Sequence, residues 1–161
     1  MTTPRPSRLT TFDYVGSARY FLTMCCKDRL GHFRDPVIAN VTNLELLRIS
    51  TRRKFAVLAY CLMPDHLHAL IEGTSNDADF KSFVLVLRRR TTIATKFNCP
   101  RGLWQDGYHE RVLRKAENTQ RVTDYILNNP VRAGLVDRAV DYPLSWSCTW
   151  DDVDAPPRPR A

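Results

Sequence analysis

The sequence predicts an α/β (α+β) fold of ferredoxin-like type, a βαββαβ sandwich with one additional helix after the fourth strand. Three observations lead there. Two β-compatible runs, 55–63 and 66–72, are separated only by Pro64-Asp65, a connection so short that it implies an antiparallel hairpin in mid-chain. Segments of helical period lie on both sides of that hairpin, each flanked outwards by one more short run rich in apolar and aromatic residues. With 161 residues and 43% hydrophobic content, the chain has material for one core and too little for two ordinary domains.

Each element follows in order. Residues 1–12, "MTTPRPSRLTTF", read as a flexible basic arm and 151–161, "DDVDAPPRPRA", as a disordered tail, so the folded domain is expected over 13–150. "ARYFLTMCC", Ala18 to Cys26, is the first strand, followed by a connection containing Gly31. From Asp35 to Arg53 the period changes: Val37, Val41, Leu44 and Leu47 recur at spacings of three and four, an amphipathic helix whose C-terminal end gathers Arg48, Arg52, Arg53 and Lys54, where cations suit the dipole. The hairpin "FAVLAYCLM" and "HLHALIE" comes next. Phe80, Phe83, Val84, Leu87, Ala94 and Phe97 then trace the apolar face of a second helix, with Arg88, Arg89 and Arg90 towards solvent. "YHERVLR", Tyr108 to Arg114, fits the fourth strand, and Asn118 to Asn129 the additional helix. In such a sandwich two helices cover one sheet face, and the other is expected to be open.

Composition narrows the function classes. Against 17 Asp and Glu stand 24 Lys and Arg, a formal charge of +7 that suits a polyanionic partner or simply solubility. Five cysteines with no C-x-x-C pair fit neither a disulfide framework nor a thiolate zinc site, and point to a reducing cytoplasm. The first residues lack a signal-peptide core and no uncharged stretch approaches a membrane span, so a cytoplasmic protein with no membrane partner is expected.

The chemistry starts in "YCLMPDHLHALIEG", where two histidines alternate with apolar residues. Alternation in a strand puts His66 and His68 on one face, about 7 Å apart along it, and Leu67, Ala69 and Ile71 on the other. Two neutral imidazoles so placed can converge on one divalent cation, or can be polar residues of a solvated face; position 70 is Leu70, so no third histidine continues the pattern. In "DYILNNPVRAGLV", Tyr125 and Asn129 lie one helical turn apart on a shared face. An amide oxygen is a hard ligand suited to Mg2+ or Mn2+, and a phenol can attack phosphorus and stay attached as an ester. A core tyrosine and a helix-terminal Asn before Pro130 is the other reading. Arg88, Arg89, Arg90, Arg111, Arg114, Lys115 and Arg132 could follow a phosphate backbone, Trp104, Tyr108 and Tyr20 could stack bases, and His109 could help place a phosphate. Solvated helix faces, core aromatics and a satisfied edge-strand histidine are the alternatives.

Four motifs together, "MPDHLHALIE", "LWQDGYHERVLR", "YILNNPVRAGLV" and "YPLSWS", resemble in order and spacing the REP-associated tyrosine transposases, the single-domain branch of the HUH (IS200-like) single-strand transposases. The resemblance covers about Thr11 to Trp150. It implies a metal-dependent enzyme that cleaves and rejoins single-stranded DNA next to palindromic repeat hairpins through a covalent 5′-phosphotyrosine. Carried over by position, His66 and His68 are metal ligands, Tyr125 is the nucleophile on the additional helix, and Asn129 stands where related insertion-sequence transposases have Gln. The implied cofactor is Mg2+ or Mn2+ and the implied partner hairpin-bearing single-stranded DNA, handled by a monomer in preference to a homodimer. Two other classes share the fold. A non-catalytic nucleic-acid-binding module would carry stacking aromatics where the histidines stand, and an HUH replication or conjugation initiator would be expected in a longer chain with further enzymatic segments.

Overall fold

Strand β1 spans Arg19–Cys25, helix α1 Pro36–Arg52, β2 Phe55–Met63, β3 His66–Gly73, α2 Phe80–Ala94 and β4 His109–Leu113. Helices α3, Thr119–Leu127, and α4, Asn129–Arg132, follow, then β5, Ser145–Ser147. The structure, a computed structural model, describes residues 11–114 and 118–150. Most of the arm, Lys115 and the tail lie outside the described residues. The strands form one antiparallel sheet in the order β4-β1-β3-β2-β5, so the first four have the ferredoxin-like arrangement and β5 adds to the β2 edge. The short fifth strand and the break between α3 and α4 go beyond the sequence expectation. No helix among the described residues is long and apolar enough to cross a membrane.

Local chemistry starts both long helices. The Asp35 carboxylate accepts from the Val37 N–H (2.8 Å) with Pro36 in the first turn, and the Asp79 carboxylate accepts from the Ser82 N–H (2.9 Å). Helix α1 nevertheless buries a different stripe from the one its apolar spacing suggests. Ile38, Ala39, Thr42, Asn43, Leu46, Ile49 and Ser50 face inwards, whereas Val37 and Leu44 are exposed. Polar residues are tolerated inside because they are bonded there: the Asn43 amide donates to the Tyr60 hydroxyl (2.9 Å) and Ser50 donates back to the Leu46 carbonyl (2.7 Å). Helix α2 ends at Ala94, before Phe97, which is exposed.

The main core lies between the sheet and α1 and α2. Leu22 and Met24 of β1, Tyr60 and Leu62 of β2, and Leu67, Ala69 and Ile71 of β3 meet Phe80, Phe83 and Leu87 of α2. The Tyr20 ring stacks on Phe80 at 4.0 Å between centroids, and Phe55 sits 5.0 Å from Phe83. At the end of β3 the backbone comes so near the 14–16 segment that a side chain at Gly73 would collide with the Gly16 carbonyl.

The other sheet face is covered, contrary to the expectation that it would be open. Val122 and Ile126 of α3 pack on Ala59, Cys61, Met63, Leu70 and Leu113, with Tyr142 closing the cluster. The α3 apolar residues need burial as much as those of α2, and this sheet face supplies it. The Arg19 guanidinium ties down the start of α3, bonding Thr119 Oγ1 (2.7 Å) and Glu72 (2.8 Å) together.

Candidate active site

The two histidines stand on β3, which has β1 on one side and β2 on the other. Their direct cross-strand neighbours are Cys25 and Met63 for His66, and Thr23 and Cys61 for His68. Both rings therefore project from the α3-covered face, where they tilt together until the two Nε2 atoms are 3.1 Å apart. His66 Nδ1 lies 2.6 Å from Asp65 Oδ1, and Asp65 Oδ2 takes an ion pair from Arg29 Nε at 3.0 Å. Arg29 also donates to the Cys25 sulfur (2.7 Å), from a turn in which Asp28 and Arg29 both adopt φ of 55°. For non-glycine residues that conformation is costly, and here it aims Arg29 at the carboxylate.

An ionised carboxylate only accepts, so Asp65 holds the His66 proton on Nδ1 and leaves a lone pair on Nε2. His68 Nδ1 is 2.9 Å from Thr23 Oγ1, a hydroxyl that can donate or accept. If Thr23 donates, His68 bonds His66 through Nε2–H; if Thr23 accepts, two nitrogen lone pairs face the same point, where a cation or a hydrogen-bond donor satisfies both. His68 is buried, and burial first, then the positive charges of His66, Arg29 and Arg132, push its pKa down to about 3, against the opposing pull of Asp65. It is a neutral ligand-grade imidazole at any ordinary pH. Among the described residues no three His, Cys, Asp or Glu side chains group to hold a metal, so any further protein ligand beside the two imidazoles has to be of another kind. The donor set fits a divalent cation with open positions.

Helix α3 brings Tyr125 to this pair. Its ring lies 6.1 Å from that of His68 and edge-on to Phe21 at 5.9 Å, and it is 44% exposed. One turn on, Asn129 Nδ2 donates to the carbonyls of Tyr125 (2.9 Å) and Ile126 (3.4 Å). Pro130 lacks the N–H that would have served Ile126, and the Asn129 amide takes its place. That use of Nδ2 leaves Oδ1, the atom able to ligate. Arg132 lays its guanidinium over the Tyr125 ring at 5.0 Å.

The residues expected to bind DNA divide. His109 and Arg111 of β4 stand directly opposite Thr23 and Phe21, and so point from the edge strand to the histidine face, both exposed. Arg114 is exposed just beyond β4, whereas Lys115 is outside the described residues. Trp104 is instead a core residue, 7% exposed, whose Nε1 donates to Thr91 Oγ1 (2.8 Å); its ring has no face free for a base. Tyr20 is fully buried, and Tyr108 is half-buried against Phe80. Arg88 turns back to the carbonyls of Gly107 (3.0 Å) and Gln105 (2.7 Å), fastening the loop before β4. Arg89 and Arg90 are exposed on α2, across the sheet from the histidines, and Arg90 Nε is 3.6 Å from Glu45. Sequence reasoning missed Asp65, Thr23 and Arg29 as supports of the histidines. Only Asp65, adjacent to His66 in the hairpin turn, carried a local signal.

Residues 14–129 match the family described as "Transposase IS200 like". A REP-associated tyrosine transposase of Escherichia coli strain K12 is 24% identical over 132 residues, covering 82% of this chain and 78% of that protein. A Haemophilus influenzae protein that bears the same designation provisionally is 26% identical over 144 residues, covering 83% and 81%. Among solved structures, a REP-associated tyrosine transposase bound to a REP hairpin has the same fold, with a TM-score of 0.69 at 23% identity over 90% of this chain and 82% of that one. A Deinococcus radiodurans protein described provisionally as a transposase aligns with a TM-score of 0.53 at 22% identity, over 78% of this chain and 97% of its own. With the family match spanning most of its length and the histidine pair, tyrosine helix and sheet order in place, the chain belongs to the IS200-like transposase family and resembles its REP-associated tyrosine transposases.

Proposed function

We propose that this chain cleaves and rejoins single-stranded DNA next to palindromic repeat hairpins, with Tyr125 as nucleophile and a magnesium or manganese ion held by His66, His68 and Asn129. The observation that carries the reading is the Tyr125 ring 6.1 Å from His68, whose Nε2 converges with that of His66. A tyrosine on a sheet-packed helix beside two oriented imidazoles is a nucleophile beside a cation seat. The hairpin as partner is supported by the related REP-associated tyrosine transposase solved bound to a REP hairpin, and the exposed His109 and Arg111 offer that strand a path on the same face.

In cleavage the Tyr125 oxygen attacks phosphorus and gives its proton to water. The bond from phosphorus to O3′ breaks, O3′ takes up a proton as a free 3′-OH, and the 5′-phosphate stays on Tyr125. Rejoining reverses this with a second 3′-OH, and the ester bond is conserved throughout, so no nucleotide cofactor is needed. When bound, the cation polarises the phosphate and stabilises the leaving oxygen. Asp65 and Arg29 hold the His66 ring so that its lone pair faces the site, and Thr23 permits His68 to do the same. A base-stacking module without catalysis is at odds with α3 lying over the sheet face that would have to be bare.

Incubation with an oligonucleotide carrying the repeat hairpin and a single-stranded flank should yield a denaturation-resistant adduct that maps to Tyr125 and disappears in chelator. Tyr125→Phe should abolish it while hairpin affinity remains. Mapping to another tyrosine, or tight binding with no adduct in the presence of magnesium or manganese, would sink the reading.

A further inference from the structure

We propose that Arg132 grips the scissile phosphate against Tyr125, as a substrate-contacting residue of the active site and not as one member of a general row of backbone contacts. The inference rests on the cleavage reading above. Tyr125, Asn129 and Arg132 are spaced i, i+4 and i+7, which keeps them on one face across the break between α3 and α4. The short helix bearing Arg132 is fixed at both ends. Pro130 stands in its first turn, and Gly134, at φ +69°, closes it with its N–H on the Val131 carbonyl (3.0 Å), while the Leu135 N–H reaches the Pro130 carbonyl (2.9 Å).

Charge accounting around the site singles out this arginine. Asp65 and Arg29 cancel one another at 3.0 Å. Arg19 and Arg138 are likewise paired, with Glu72 at 2.8 Å and Asp141 at 3.1 Å. Arg132 is exposed and has no carboxylate partner among the described residues, and its guanidinium lies 5.0 Å above the Tyr125 ring. One uncompensated cation thus sits on the residue proposed to attack a phosphodiester. A contact with an exposed ring face is a weaker hold than a charge-assisted pair of bonds to two phosphate oxygens, so the fork can leave the ring for the substrate. The planar fork spans two non-bridging oxygens, those on which charge builds as phosphorus is attacked.

The test uses the Tyr125→Phe protein, which keeps the ring under Arg132 but does not cut. Its affinity is measured, in chelator, for the hairpin oligonucleotide with either a phosphodiester or an uncharged methylphosphonate at the one linkage that wild type cleaves. The neutral linkage should weaken Tyr125→Phe about tenfold and leave Tyr125→Phe/Arg132→Ala unchanged within about twofold, one charge-assisted contact being at stake. Tyr125→Phe/Arg132→Lys should fall between them. Equal weakening in both proteins, or none in either, overturns the inference and assigns Arg132 to packing on the ring. A wild type that forms no adduct overturns the cleavage reading first, and this inference with it.

Discussion

The two faces of the sheet are built to different standards. Against α1 and α2 it presents Tyr20, Leu22, Leu62, Leu67 and Ile71, all fully buried, and meets Phe80 and Phe83. Against α3 it presents Ala59, Cys61, Met63 and Leu70, and carries the two histidines. The first face is large, aromatic and dry. The second is a narrow apolar strip that fixes α3 through Val122 and Ile126 while Tyr125 remains exposed on the flank of the same helix. A surface that holds two imidazoles beside an exposed tyrosine cannot also be the main store of buried apolar area, so the large core and the candidate site occupy opposite sides of the same strands.

The comparison breaks most directly in stability measurements. Phe80→Ala should cost about 3–5 kcal/mol and Val122→Ala about 2 kcal/mol in urea unfolding, whereas Tyr125→Phe should cost almost nothing. Similar losses for Phe80→Ala and Val122→Ala would erase the distinction. Acid should then reveal the strain on the chemical face. His68 stays neutral when folded down to about pH 3, but takes up a proton in the unfolded chain near its ordinary pKa of 6.5. Between those values the unfolded state holds the extra proton, so stability present above 6.5 is lost as pH falls. The slope should approach about 1.4 kcal/mol per pH unit in metal-free protein, and His68→Gln should flatten it. Asn129→Ala should cost about 1 kcal/mol in chelator through the loss of its donor to the freed carbonyls, and should raise the magnesium needed for adduct formation. An unchanged magnesium requirement would leave Asn129 only its structural part. The smallest effect sharpens the contrast between faces: Arg111→Ala should reduce the slope of log affinity against log salt by about one, and Arg89→Ala, on the helical side, should not change it.

How much of this was readable in the chain depends on distance along it. The β2 limits and the pairing of β2 with β3 follow from local alternation and a two-residue turn, and they occur where the pattern puts them. The Tyr125 and Asn129 pairing is equally local. Periodicity tells which residues share a face, not which face is covered. Helix α1 offers one apolar stripe through Val37 and Leu44 and another through Ile38 and Leu46; the fold buries the second, partly because Asn43 finds Tyr60 there. For the same reason the histidine face was expected to be open, since nothing in the β3 alternation says where α3 will lie. Arg88 and Trp104 looked suited to DNA because Arg and Trp often are. Their bonds to Gln105, Gly107 and Thr91 depend on how the loop before β4 folds back on α2. Thr23 is 45 residues from His68, and no spacing rule links them.

The sheet's outer strands carry a last consequence. β4 has five residues, among them His109, Glu110 and Arg111, and β5 has only three, covering Ala59 to Cys61 of the nine-residue β2. Long bare apolar edges invite other chains to add strands, and charged or very short ones deter them. This sheet therefore has poor templates for edge-to-edge polymerisation at both ends. On the function proposed above, copies acting at neighbouring DNA repeats would lie side by side without seeding amyloid-like growth through these edges.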